Sequence, residues 1–302
     1  MMTKELAYTG VLLTEVGIGT SNYQAGPEPL RKCVEAGVLF FDTAESYGTD
    51  HIVGESVRDV RGRVFIATKV SPRNFRLSDF RASVDASLQR LGTDYIDLLQ
   101  LHEPNPQIPI AETMGAMAQV VSAGKVRYAG VSNFSVAQLR EAQQALGVIP
   151  IVSDQVRYNL IDRTIEGGLL QYCQANRITV IAYTPLARGL ERIRDCDPSG
   201  VVEAIAQECG KTPAQVVLNW CLSKEGVVAI PGSNSVGHLL ENCGASGWRL
   251  SAEQIHRLDT GIRFRRRTRI DALLRRSLPP GMTAAALRMA RWLPRGIRRR
   301  FT

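Results

Sequence analysis

The chain has 302 residues, 44% of them hydrophobic, with 37 lysines and arginines against 29 acids. That is enough apolar material for one large core, yet no run approaches the ~18 apolar residues of a spanning helix, and the N-terminus does not read as a secretory leader. The six cysteines (33, 173, 196, 209, 221 and 243) form no C-x-x-C pair, which argues against a zinc site or a disulfide framework and fits reduced thiols in a cytoplasm.

From the N-terminus, residues 6–13 are apolar around Thr9-Gly10, a pattern expected of a hairpin closing a barrel floor. Residues 15–20 read as a first barrel strand, 27–36 as a helix stopped by Gly37, and 38–41 as a second strand running into the loop Asp42-Thr43-Ala44-Glu45-Ser46-Tyr47-Gly48. A helix over 50–60 precedes the strand 64–69, which ends on Lys69. Ser78 is expected to cap the next helix, whose Phe80, Val84 and Leu88 recur at helical spacing, and the strand 95–102 ends on His102. Helices over 110–123, 135–146 and 163–176 then alternate with strands over 125–131, 150–156 and 178–183. Two helices, 201–209 and 213–223, precede a last strand at 227–230, and helices over 235–243 and 252–259 follow. Eight strands alternating with helices favour a (β/α)8 TIM barrel over a doubly wound sheet.

In a parallel α/β protein the carboxyl ends of the strands share one face, where loops build the site. Asp42, Lys69 and His102 stand at three successive ends, and Tyr47 lies five residues past the first. This set suits proton chemistry at a carbonyl oxygen. A free phenol with a pKa near ~10 is a poor donor, a nearby ammonium lowers that value, and an aspartate keeps the ammonium charged. Taken singly, each residue also has a structural explanation: an ion pair, a rim aromatic, a strand-end histidine. Their coincidence favours a site.

The order FDTAESYG, ATK, LLQLH, GVSNF and IAYTPL, spanning about residues 17–242, resembles the aldo-keto reductase superfamily. The resemblance implies a barrel over 1–262 and reversible reduction of an aldehyde or ketone by a nicotinamide cofactor. Tyr47 would be the general acid/base, Lys69 its tuner, Asp42 the partner of the lysine, and His102 the residue that orients a small-molecule carbonyl substrate. No G-x-G-x-x-G follows the first strand, so a Rossmann site has no support. A dinucleotide would instead lie along Gly19 and Thr20, Asp42, Ser132 and Asn133, and Gln155. Tyr183 would stack on the nicotinamide, and Thr184, Leu186 and Arg188 would clasp the pyrophosphate. Ser233, His238, Glu241 and Asn242 match the adenosine end.

Many members carry a lysine at the position of Gly232 and an arginine at that of His238. The resemblance therefore implies NADP(H) with weakened discrimination, leaving NAD(H) open. Ser21 and Glu103, with Asn22 and Asn105, suggest a polar substrate pocket suited to a sugar or polyol carbonyl. The alternative is a regulatory barrel with little turnover, like the potassium-channel β-subunits that resemble this family.

Residues 263–302 fall outside the resemblance. They carry thirteen arginines against one acid, Asp271, so with +8 for the whole chain the first 262 residues carry a net −4. A basic helical extension is expected there, its apolar faces either packed on the barrel or attached to an anionic surface, with no nucleic-acid reading module. Nothing in the sequence sets an oligomeric state.

Overall fold

The computed structural model describes residues 1–264, so the expected helical extension and its surface contacts lie outside the described residues. A short antiparallel hairpin opens the chain, β1 (Thr3–Glu5) against β2 (Leu12–Thr14). The barrel strands are β3 (Ile18–Gly19), β4 (Phe40–Asp42), β5 (Phe65–Val70), β6 (Ile96–Leu101), β7 (Val126–Ser132), β8 (Ile151–Arg157), β9 (Thr179–Tyr183) and β10 (Val227–Ile230). The helices are α1 (Glu28–Glu35), α2 (Asp50–Val57), α3 (Leu77–Leu91), α4 (Ile110–Ser122), α5 (Val136–Leu146), α6 (Leu169–Ala175), α7 (Leu190–Arg194), α8 (Val201–Cys209), α9 (Pro213–Leu222), α10 (Val236–Cys243) and α11 (Ala252–Gly261).

Strands β3 to β10 pair in sequence order, every pair parallel. The sheet closes where Gly17 N donates to Ala229 O (2.9 Å), Ala229 N to Glu15 O (2.9 Å) and Gly19 N to Pro231 O (3.1 Å). Glycine is required at this seam. A Cβ at Gly17 would stand 2.5 Å from Phe40 Cδ1, and one at Gly19 would stand 2.9 Å from Ile230 O. The result is the expected (β/α)8 barrel with its N-terminal hairpin.

Both faces of the sheet are buried, which explains the near-continuous apolar runs of its strands. Phe40, Phe65, Leu98, Val152, Ile181 and Val228 fill the interior, with Leu6 and Leu13 of the hairpin closing one end. Alternate residues such as Phe41, Ile66 and Leu99 pack outward against the helices. Each fully buried large side chain contributes roughly 1.5–3 kcal/mol. The hairpin is tied down by Lys4, whose ammonium donates to the carbonyls of Leu222 (2.6 Å), Lys224 (3.1 Å) and Val227 (2.7 Å). At the other end of the chain, the buried Arg163 donates to Asp259 Oδ1 (2.9 Å), which also accepts from Trp220 Nε1 (2.8 Å), fixing α11.

Local differences from expectation have identifiable causes. Hairpin pairing lies at 3–5 and 12–14, so it overlaps the apolar stretch only at Leu12 and Leu13, and residues 6–11 form the connection. Helix α3 starts at Leu77, so Ser78 sits inside its first turn and provides no cap. The helix expected over 163–176 is a 3₁₀ turn (Thr164–Gly167) followed by α6, because Gly168 adopts φ 132°, a value open to glycine and costly elsewhere. The five-residue α7 was not expected at all.

Candidate active site

The end of β4 carries Asp42, and the 3₁₀ turn Glu45–Tyr47 immediately after it carries the tyrosine. Lys69, on β5 and only 1% exposed, reaches across to Asp42 Oδ2 at 2.6 Å and to Thr43 O at 2.8 Å. Its ammonium lies 4.9 Å from the centroid of the Tyr47 ring. Asp42 Oδ1 accepts from Gln155 Nε2 (2.6 Å) and Gln100 Nε2 (3.4 Å), so both carboxylate oxygens are engaged. His102 follows β6 and meets Tyr47 edge-on, with Nε2 3.5 Å from the phenolic oxygen. The four candidates thus converge, with Asp42, Tyr47 and His102 on the wall of one cleft and Lys69 buried behind them.

Electrostatics modify the expected roles. Burial would push Lys69 down, but Asp42 and Tyr47 outweigh it and its pKa is raised, keeping the ammonium charged. Burial pushes Tyr47 up, and Lys69, pulling the other way, does not reverse the shift. The expectation that the lysine brings this phenol down into the working range is therefore corrected: desolvation wins, and Tyr47 is held as a neutral acid. His102 is lowered to about 4, by burial first and the Lys69 charge second, so near neutrality it is a neutral imidazole.

The cleft encloses about 1190 Å³ and runs from Ser21, Asn22, Tyr47, His102 and Glu103 past Gln155 and Tyr183 to Asn242. That volume exceeds the ~300–1,000 Å³ of most small-ligand pockets and suits a dinucleotide beside a substrate. Asn133, at φ 63°, donates to His102 O (3.2 Å) and accepts from Tyr183 Oη (2.9 Å), locking the Tyr183 ring upright. Ser132 Oγ donates to Gln155 O at 2.8 Å. Thr184, Ala187 and Arg188 all have positive φ (53°, 56° and 67°), a strained run of the kind that clusters where a loop clamps a ligand. Arg188 and His238 are exposed on the cleft wall, while Gly19, Leu186, Ser233, Glu241 and Asn242 complete it. Gly232 lies tight against the seam of this chain, where a Cβ would stand 2.4 Å from Gly19 O and could enter only if the backbone shifted.

These donors and the side-chain-free wall at Gly19 and Gly232 fit a nicotinamide dinucleotide. The aldo/keto reductase family model matches residues 14–262, a span covering the whole barrel. The chain belongs to the aldo/keto reductase family. It is 35% identical over 270 residues to methylglyoxal reductase YeaE of Escherichia coli, covering 86% of this chain and 95% of that protein. Among solved structures it is similar to the thermostable aldo-keto reductase Tm1743 in complex with epalrestat, at 41% identity and TM-score 0.80, covering 86% and 99% of the two chains. It is also similar to a Klebsiella pneumoniae aldo-keto reductase in complex with NADPH, at 33% identity and TM-score 0.79, covering 88% and 98%.

Not every expected position faces the cleft of this aldo/keto reductase. Thr20 is fully buried, its hydroxyl bonded to Asp42 O (3.0 Å) and Thr49 Oγ1 (2.8 Å), so its side chain braces the end of β4 and does not line the cleft. Asn105 donates to Pro72 O at 2.9 Å, and its side chain does not line the cleft.

Two residues escaped the sequence reading. Glu45 accepts from Ser71 N (2.5 Å), from Asn74 Nδ2 (3.0 Å) and from Ser83 Oγ, pinning the turn that carries Tyr47 to the next βα unit. Arg157 lines the cleft two residues beyond Gln155, on the same face of β8. The period-2 alternation of a strand was the available signal for it.

Proposed function

We propose that the protein reduces an aldehyde or ketone to the alcohol with NADP(H), the observation that carries this being the phenol of Tyr47 and the imidazole of His102 set 3.5 Å apart on the cleft wall. When bound, the cofactor supplies the hydride that goes to the carbonyl carbon. Neutral His102 donates a hydrogen bond to the carbonyl oxygen and fixes its direction. As negative charge grows on that oxygen it becomes far more basic than a phenolate, so Tyr47 transfers its proton there even with a raised pKa. Lys69 then stabilises the phenolate left behind, and Asp42 balances the lysine. Because oxidation of an alcohol needs Tyr47 ionised beforehand, its raised pKa favours reduction near neutrality.

Gln155, Ser132 and Asn133 suit the carboxamide, Tyr183 the ring face, Thr184, Leu186 and Arg188 the pyrophosphate, and Ser233, His238, Glu241 and Asn242 the adenosine end. Ser21, Asn22 and Glu103 give the substrate half a polar wall, which supports an oxygenated carbonyl compound, a sugar or polyol among them.

The test is the Tyr47→Phe variant with NADPH and a panel of aldehydes and ketones. NADPH affinity should hold while kcat falls on the order of 10²–10⁴. Wild-type turnover by the variant would refute the assignment.

A further inference from the structure

The arginines that are largely buried in this fold meet carboxylates: Arg163 meets Asp259 (2.9 Å) and Arg61 meets Asp97 (2.8 Å). Arg157 is built differently. It ends β8 in register with Tyr183, and its guanidinium lies 5.7 Å from that ring centroid. Its Nε is buried with no hydrogen-bond partner, and among the described residues no carboxylate pairs with it. The side chain lines the same cleft as Tyr47 and His102. A half-buried cation stacked on an aromatic face, with its N–H fork uncommitted, is suited to receive a carboxylate in two-point fashion.

We infer that Arg157 is a specificity-determining residue that binds the carboxylate of an oxo-acid substrate whose carbonyl is held at Tyr47 and His102. The inference rests on the reductase reading above and narrows its substrate class. Placement sets the length. His102 follows β6 and Arg157 ends β8, two strand spacings or ~10 Å apart at the backbone, which favours an acid whose carboxylate is set off from the carbonyl by intervening carbons, as in 4-oxobutanoate. Arg188 lies beyond Tyr183, in the loop after β9, and leaves Arg157 free of the pyrophosphate role.

The test uses the full chain with NADPH and compares 4-oxobutanoate with its uncharged counterpart butanal, in the wild type, Arg157→Met and Arg157→Lys. Losing a charge-assisted contact should lower kcat/KM for 4-oxobutanoate roughly 10- to 100-fold, mainly through KM. Butanal kinetics and NADPH affinity should stay within about twofold, and Arg157→Lys should restore part of the loss. Equal losses on both substrates, weakened NADPH binding, or unchanged 4-oxobutanoate kinetics in Arg157→Met would each overturn the inference. If the wild type turns over neither aldehyde, calorimetry with 4-hydroxybutanoate against butan-1-ol in the presence of NADP⁺ still decides. Binding of the acid that vanishes in Arg157→Met upholds the anion site while the reductase reading falls, and equal or absent binding in both proteins removes it.

Discussion

Gly232 and Gly19 are in backbone contact across the barrel seam, so closely that a Cβ on Gly232 would stand 2.4 Å from the Gly19 carbonyl oxygen. The lysine that family resemblance would place at 232 therefore does not fit without moving the seam. We predict that Gly232→Lys lowers the melting temperature and weakens NADPH and NADH alike. His238→Arg, at an exposed cleft position, should instead tighten NADPH over NADH by about tenfold, as a new charge-assisted phosphate contact is worth roughly 1.5–3 kcal/mol. Fluorescence titration of both cofactors checks this; a Gly232→Lys protein as stable as wild type would show that the contact is looser than described.

A second prediction concerns the buried pair. Lys69→Met leaves Asp42, 2% exposed, with only the amides of Gln155 and Gln100 as donors. Removing one partner of a buried ion pair typically costs about 3–5 kcal/mol, less what those amides recover. Urea unfolding should show an earlier midpoint at unchanged slope, together with a large fall in kcat. Stability equal to wild type would mean that Asp42 is satisfied without the lysine.

The third arises from Asp154 on β8, whose buried carboxylate makes no well-formed hydrogen bond and has only the Phe134 backbone amide near enough to oppose the effect of burial. Burial raises its pKa well above the ordinary carboxylate range. A raised pKa means the native state holds the proton more tightly than the unfolded chain. The stability this group contributes is thus complete below the unfolded value of about 3.9 and is lost as pH rises through the native one. Asp154→Asn cannot ionise and should lack this decline. Its stability relative to wild type should increase between pH 4 and 8 in paired denaturant titrations. Parallel pH profiles for the two proteins would sink the idea.

Much of the barrel was legible because its strands are buried on both faces and read as short apolar runs, several with a polar residue at or just before or after the end. Phe40–Asp42, Phe65–Val70 and Ile96–Leu101 all lie within two residues of the expected spans, and the resemblance then supplied roles for Asp42, Tyr47, Lys69 and His102. Competition among forces was less legible. Whether Lys69 or desolvation controls Tyr47 depends on how much water the fold removes, which no spacing records. Thr20 and Asn105 carry side chains apt for ligands, but the fold spends their hydrogen bonds internally. Glu45 escaped notice because its partners come from Ser71, Asn74 and Ser83, on elements that only the closed barrel brings beside it. Gly168 was visible within a Gly-Gly pair, and a stricter reading of that doublet would have broken the helix there.

The seam where residues 15–19 meet 229–231 joins parts of the chain separated by most of the barrel's length, and it forms one wall of the cleft. During synthesis the strand at 15–19 emerges long before its partner, so the cleft can acquire its shape only when the last strand arrives. A molecule lying along Gly19, Ser233 and Asn242 spans this late junction like a rivet across the final joint of a hoop. By mass action its binding free energy adds to the stability of the closed ring. Saturation with cofactor is thus also a condition of durability, and depletion of the nucleotide pool would expose the enzyme to unfolding at its seam.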